Sequence, residues 1–306
     1  MHKQRQVLLM MALAAAAATS ALGQAVAPLV VLTSSGTAST ASVPDFSGIW
    51  THPYFGVGPP LSGPGPVTRR PGRLLVGDST NPILKPAAAE AVKKHGEIEL
   101  SGDAAPNPRN QCWPEGVPFV FRNTGMQMLQ QPHQITFLYD EDNIVRRVRM
   151  NEPHPAQVTP SWYGDSVGHY EGDALMVDTI GIKVGPFAMI DVFGTPRTPA
   201  LHVVERYWLI DYEAAIEGQQ RGLPPAADVR VAGDAILPID PDYKGKGLQF
   251  QFTVEDEGVF TMPWTATITY RRGREAWREV VCAENTRELA IAGRAGAVPR
   301  ADKPDF

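Results

Sequence analysis

The sequence predicts an all-β protein with minor helix, either a closed antiparallel β-barrel with peripheral helices or a two-layer β-sandwich. Three observations carry this reading. Leu248, Phe250, Phe252 and Val254 alternate with Gln249, Gln251 and Thr253, and Trp264, Ala266, Ile268 and Tyr270 alternate with Thr265, Thr267 and Thr269. Alternation at period two marks a half-buried strand, because successive side chains point to opposite faces. Further short apolar runs are separated by turn residues, and no strand–helix alternation of the parallel-sheet kind occurs.

In chain order, Lys3 and Arg5 precede the apolar run Val7 to Ala18, and Ala21-Leu22-Gly23 offers a small-residue cleavage site. That is the layout of a secretory signal peptide over 1–23, too short for a membrane-spanning helix. Residues 24–43 read as a disordered linker of Ala, Val, Ser and Thr, 44–290 as a single β-rich domain, and 291–306 as a C-terminal tail. Pro and Gly recur from Gly56 to Gly72 and deny regular structure there. A helix is expected over 83–95, with Pro86 in its first turn and Gly96 as its stop. Strands follow at 126–131, 134–139, 144–150, 201–210 and 277–283, with a short helix at 212–220 and a loop at 221–247. Glu171-Gly172-Asp173-Ala174 reads as a two-residue hairpin turn, pairing 171 with 174, 169 with 176 and 167 with 178. Val167, His169, Glu171, Met176 and Asp178 then share one face, opposite Tyr170, Leu175 and Val177. The polar face either meets water or lines a barrel lumen; in a lumen, Glu171 would be buried and partnered.

The 306 residues include 28 Lys+Arg and 33 Asp+Glu, for a net charge of −5, with 43% apolar and 20% charged residues. The balance offers no electrostatic basis for nucleic-acid binding, and no membrane span is expected once the signal is removed. Export to the periplasm or beyond places Cys112 and Cys282 where disulfides persist, so the two are expected to pair.

The densest chemistry lies between 151 and 179. Gly164-Asp165-Ser166-Val167-Gly168 fits G-x-S-x-G, but a nucleophile elbow needs a strand before the Ser and a helix after it. Here Thr159-Pro160 precedes, and a turn and strand follow. His169-Tyr170-Glu171 spells H-x-E without the P-C-x-x-C of zinc deaminases, and H-E-x-x-H is absent. No metal and no cofactor are therefore expected. His154 is held between Pro153 and Pro155, which fixes where its ring points. His202 and Glu205, three apart on a strand, face opposite sides, and His133 is assigned to a surface turn. The acid–base candidates are His154, Asp165 and Glu171; the substrate-binding candidates are Trp162, Tyr163, Ser166, His169 and Trp264.

Gly48-Ile49-Trp50 resembles the G-x-W that opens lipocalin-like (calycin) barrels. On a wider scale, CWPEGVPF at 112–119, PHP around His154, GDSVGHYEGDALMVDT at 164–179, LHVVERY at 201–207, Pro263-Trp264 and the CxEN of 282–285 resemble an abundant group of secreted bacterial proteins. This likeness covers about residues 45–286 and implies export but no particular activity. Members commonly carry Trp where Tyr170 stands, and Arg or His at the place of His169. That argues against His169 as an essential base and moves weight to His154, Ser166, Glu171 and Asp173. The expected function is an exported lyase, isomerase or hydrolase acting on a small organic or sugar-like substrate by His/carboxylate acid–base chemistry. The alternative is a lipocalin-like protein that binds a small ligand without transforming it.

Overall fold

The computed structural model describes residues 43–54, 56–71, 75–223, 238–274 and 281–282. The expected signal peptide, nearly all of the linker, most of the strand at 277–283, the middle of the 221–247 loop and the tail lie outside these. Among the described residues, nine strands close into one barrel in sequence order. They are β1 (Gly48–Thr51), β2 (Gly125–Gln131), β3 (Gln134–Tyr139), β4 (Val145–Met150), β5 (Asp165–Glu171), β6 (Ala174–Ile180), β7 (His202–Ile210), β8 (Gly247–Glu255) and β9 (Trp264–Arg272). Two helices, α1 (Pro86–Ser101) and α2 (Tyr212–Gly222), accompany them, and none of the described helices is long and apolar enough to cross a membrane.

All neighbours pair antiparallel except one. β4 and β5 run parallel through only two residue pairs, Arg149 with Val167 and Met150 with Gly168. The strand-to-strand link here is the segment 151–164, which carries the chain back across the outside before β5 begins. The reading of uniformly antiparallel strands is corrected at this seam. Closure between β1 and β9 is equally brief, with Trp50 opposite Arg272 and Thr51 opposite Arg271. Arg272 reinforces it: its guanidinium lies 4.2 Å over the Trp50 ring and donates to the Ser47 carbonyl at 2.8 Å.

The alternation seen in the sequence resolves into lumen and outer wall. Phe250 stacks on Tyr207 at 4.4 Å, and Phe121 meets both Phe250 and Phe252 edge-on at 5.0 Å. Phe137, Val148, Val177, Val203 and Ile268 complete this fully buried interior. Burying each such side chain contributes roughly 1.5–3 kcal/mol. α2 lies against β8 and β9, close enough that a Cβ on Gly218 would stand 2.4 Å from Thr269 Oγ1.

Two further expectations are refined. α1 starts at Pro86, because Leu84 pairs with Phe260 in an isolated bridge. It runs through Gly96, which is buried against Val76, and ends at Gly102 in the left-handed conformation, φ 91°. Gly96 is thus a close-approach residue rather than a helix stop. Cys112 and Cys282 form a disulfide with Cα atoms 5.4 Å apart, closing a loop of 170 residues.

Candidate functional site

The strands β4 to β7 carry two polar networks, one on each side of the barrel wall. Inside, Arg146 of β4 faces Glu205 of β7, donating from Nη1 to Oε2 at 2.8 Å and from Nη2 to Oε1 at 2.5 Å. Arg146 Nη2 also donates to Ser166 Oγ at 3.0 Å and Thr179 Oγ1 at 2.7 Å, and the Tyr207 hydroxyl donates to Glu205 Oε2 at 2.7 Å. The ion pair is 0–1% exposed. Every group in it has partners, as burial of a charge pair requires.

Outside, the residues one or three positions away on the same strands form a hydrogen-bonded chain. Arg149 clamps Asp165 through Nη1–Oδ2 at 2.6 Å and Nη2–Oδ1 at 3.1 Å. Its Nε reaches Glu152 at 3.1 Å. The His154 ring lies between two acids, Nδ1 2.7 Å from Asp165 Oδ1 and Nε2 3.0 Å from Asp178 Oδ1. Asp178 offers its second oxygen to His202 Nε2 at 3.0 Å, and His202 Nδ1 meets Glu255 at 3.3 Å.

Local structure explains the placement. Arg149, Asp165, Asp178 and His202 all point outward at period two, and His202 sits directly opposite Glu255 in the β7–β8 register. His154 rides on the crossing segment, where Pro153 and Pro155 hold an extended chain over the wall. The residues missed at the level of sequence are Arg149, Asp178, His202 and Glu255 as members of this chain. The signal was partly present, since Asp178 stands between Met176 and Ile180 on the outer face of β6. Its contact with His202 depends on the pairing of Asp178 with Val204 across β6 and β7, which no local pattern reveals.

The charges are mutually tuned. The hydrogen bonds from Arg149 hold the Asp165 carboxyl below the ordinary carboxylate range; burial opposes them, and the hydrogen bond from His154 adds to the lowering. His202 and His154 do the same for Asp178. The Asp178 carboxylate, with Glu255 behind it, raises His202 above its ordinary value of 6.5. Ionised carboxylates only accept, so both contacts of each ring are hydrogen bonds when each ring nitrogen carries a proton. His154 is 21% exposed and Asp178 40%, so solvent reaches the chain. Such an arrangement can take up a proton at His202 and stabilise the charge through the Asp178 carboxylate.

Of the sequence candidates, the structure brings together His154 and Asp165. Glu171 is not with them: it stands at the tip of the β5–β6 hairpin, 63% exposed, paired only with His169 at 2.9 Å. The predicted register is present residue for residue, but the polar face is the outer one, because Tyr170, Leu175 and Val177 fill the lumen side. Of the two placements left open by the sequence, the one in solvent is the one found for Glu171. Ser166 points inward to Arg146 and Thr179, so its hydroxyl is unavailable as a surface nucleophile. Trp264 is a core residue packed on Phe252 and Phe260. Tyr163 packs partly buried against the core, and Trp162 lies in a separate aromatic group with Trp113. Among the described residues, no set of three or more His, Cys, Asp or Glu is arranged to hold a metal ion.

A further charged cluster lies beside the disulfide. Arg109 pairs with Glu141 at 2.6 Å, and Asn123 Nδ2 donates to the buried Glu115 at 2.9 Å. Burial pushes Asp140 up to about 7 and His52 down to about 4. Comparison with protein families, curated proteins and solved structures returns no match for this chain.

Proposed function

We propose that this protein is an exported enzyme using His154, Asp165, Asp178 and His202 for acid–base chemistry on a small organic substrate, as a lyase, isomerase or hydrolase. The observation that carries the reading is the His154 ring suspended between Asp165 and Asp178, each within hydrogen-bond reach. A general acid or base needs a fixed direction within reach of its proton partner, and these two carboxylates fix the ring's direction. Asp165 orients the ring through Nδ1, itself anchored by Arg149. Asp178 couples the opposite nitrogen to His202 and is open to solvent. The signal-like N-terminus and the disulfide support export. The tight filling of the lumen favours chemistry on the outer wall over a ligand held inside the barrel.

The test begins with thermal-shift screening of hydroxy acids, lactones, esters and sugars, followed by NMR detection of turnover. His154→Gln keeps the melting temperature and lowers turnover by about 10²–10⁴-fold. Turnover that survives the substitution, or binding without any turnover, overturns the reading.

A further inference from the structure

Trp162 is wedged between two glycines. A Cβ on Gly116 would lie 2.6 Å from the Trp162 carbonyl oxygen, and one on Gly185 would lie 2.9 Å from Cη2 of the indole. Trp113, 37% exposed, meets Trp162 edge-on at 5.7 Å, and Phe187 lies 6.3 Å from Trp113. Phe187 has φ +58°, a costly conformation for an aromatic residue. The rings form a stepped shelf at the surface, Trp113 tilted by 64° to Trp162 and by 57° to Phe187.

Two cations face this shelf. Lys183 Nζ stands 5.2 Å over the Trp162 ring, on an exposed side chain. Arg197, only 4% exposed, places its guanidinium 5.9 Å from the same ring. It donates to the carbonyls of Val117 at 3.1 Å and Lys183 at 2.8 Å. Its Nε is buried without a partner. Among the described residues, neither cation has a carboxylate within ion-pair distance, whereas buried Arg146 has Glu205 and Arg122 has Glu115. A buried, uncompensated guanidinium is costly alone and favours a nearby anion. Arg197 is held by burial at about 10, still cationic at neutral pH.

We propose that the Trp113–Trp162–Phe187 shelf binds a planar aromatic carboxylate, with its ring against the indoles and its carboxylate beside Lys183, above the field of Arg197. The tilted rings supply an apolar face and an adjoining edge to a single aromatic ring, and the two cations select a negative group. Among the neutral groups beside the shelf, the Ser161 hydroxyl is committed to the Gly164 carbonyl, and the indoles offer N–H donors only. A polyhydroxylated sugar acid would present several O–H donors to side chains that themselves only donate, which favours the aromatic acid. This site goes beyond the acid–base reading and does not depend on it.

The experiment is calorimetric titration of the full chain, with tryptophan fluorescence in parallel, using benzoate, benzamide and glucuronate. Benzoate binds saturably and quenches fluorescence, while benzamide and glucuronate bind at least about tenfold more weakly. Lys183→Glu, an exposed change that leaves packing intact, weakens benzoate at least about tenfold. His154→Gln leaves benzoate affinity unchanged, which separates this site from the acid–base chain. The proposal is overturned by absent benzoate saturation, by benzamide or glucuronate matching benzoate, by an unaltered Lys183→Glu, or by loss of binding in His154→Gln.

Discussion

The two faces of β4 to β7 carry similar chemistry in opposite surroundings. Arg146 with Glu205 inside and Arg149 with Asp165 outside are both bidentate arginine–carboxylate pairs on the same wall. The inner pair is sealed, so its charges are bound to one another and its contribution lies in packing and specificity. The outer chain is wet, so its pairs are screened and add little stability, but its protons can exchange with a solute. Solvent access, rather than residue type, separates the two networks.

The largest test breaks the inner network. Glu205→Leu strands the Arg146 guanidinium in the lumen and should cost about 3–5 kcal/mol in urea unfolding. Replacing both partners, Arg146→Met with Glu205→Leu, should recover most of that loss, because no charge is left unpaired. A single-variant loss below about 1 kcal/mol would remove the distinction between the faces.

On the outer face, Asp178→Asn should cost at most about 1 kcal/mol, yet lower the His202 pKa. Histidine ring signals followed by NMR against pH report this directly. An unchanged His202 titration would show that the chain is not coupled.

The same pair of proteins sharpens the pH dependence. Asp178 is depressed in the fold, so its contribution is full above the unfolded carboxylate value and is lost as pH falls through the folded one. His202 is raised, so its contribution is full below 6.5 and is lost as pH rises through its folded value. The stability difference between the wild type and Asp178→Asn should therefore peak between these limits and shrink on both sides. Taking the difference cancels the opposing contributions of His52 and Asp140. A flat difference from acid to alkaline pH contradicts the assignment.

The smallest effect belongs to Glu171→Gln. With its side chain in solvent at the hairpin tip, the change should stay within about 0.5 kcal/mol and leave turnover unaltered.

Much of the architecture could be read locally. The period-two runs placed β8 and β9 within two residues, Gly172-Asp173 set the β5–β6 register, and the two cysteines form the expected disulfide. What could not be read was which side of the β5–β6 hairpin faces the lumen. Period two divides residues into two faces without naming the inner one, and the apolar Tyr170–Leu175–Val177 face was the better guide than the charged one. The site was half legible. His154 and Asp165 are eleven residues apart in one motif-rich segment, whereas Asp178 and His202 meet only through strand pairing. The parallel seam was invisible because 151–164 carries no helix to announce a crossover.

That seam has a mechanical consequence. Among the described residues, the strands pair at two positions across β4–β5 and two across β1–β9, so the cylinder is two curved meanders, β1–β4 and β5–β9, joined along thin backbone seams like the halves of a shell. Each joint is riveted by an arginine: Arg149 reaches across the first to Asp165, and Arg272 lies across the second on Trp50. Amide exchange should be fastest along these two lines and slowest at β7–β8. The rivet on the first line is also the anchor of His154, so transient parting of the shell would disarm the acid–base chain before the core unfolds.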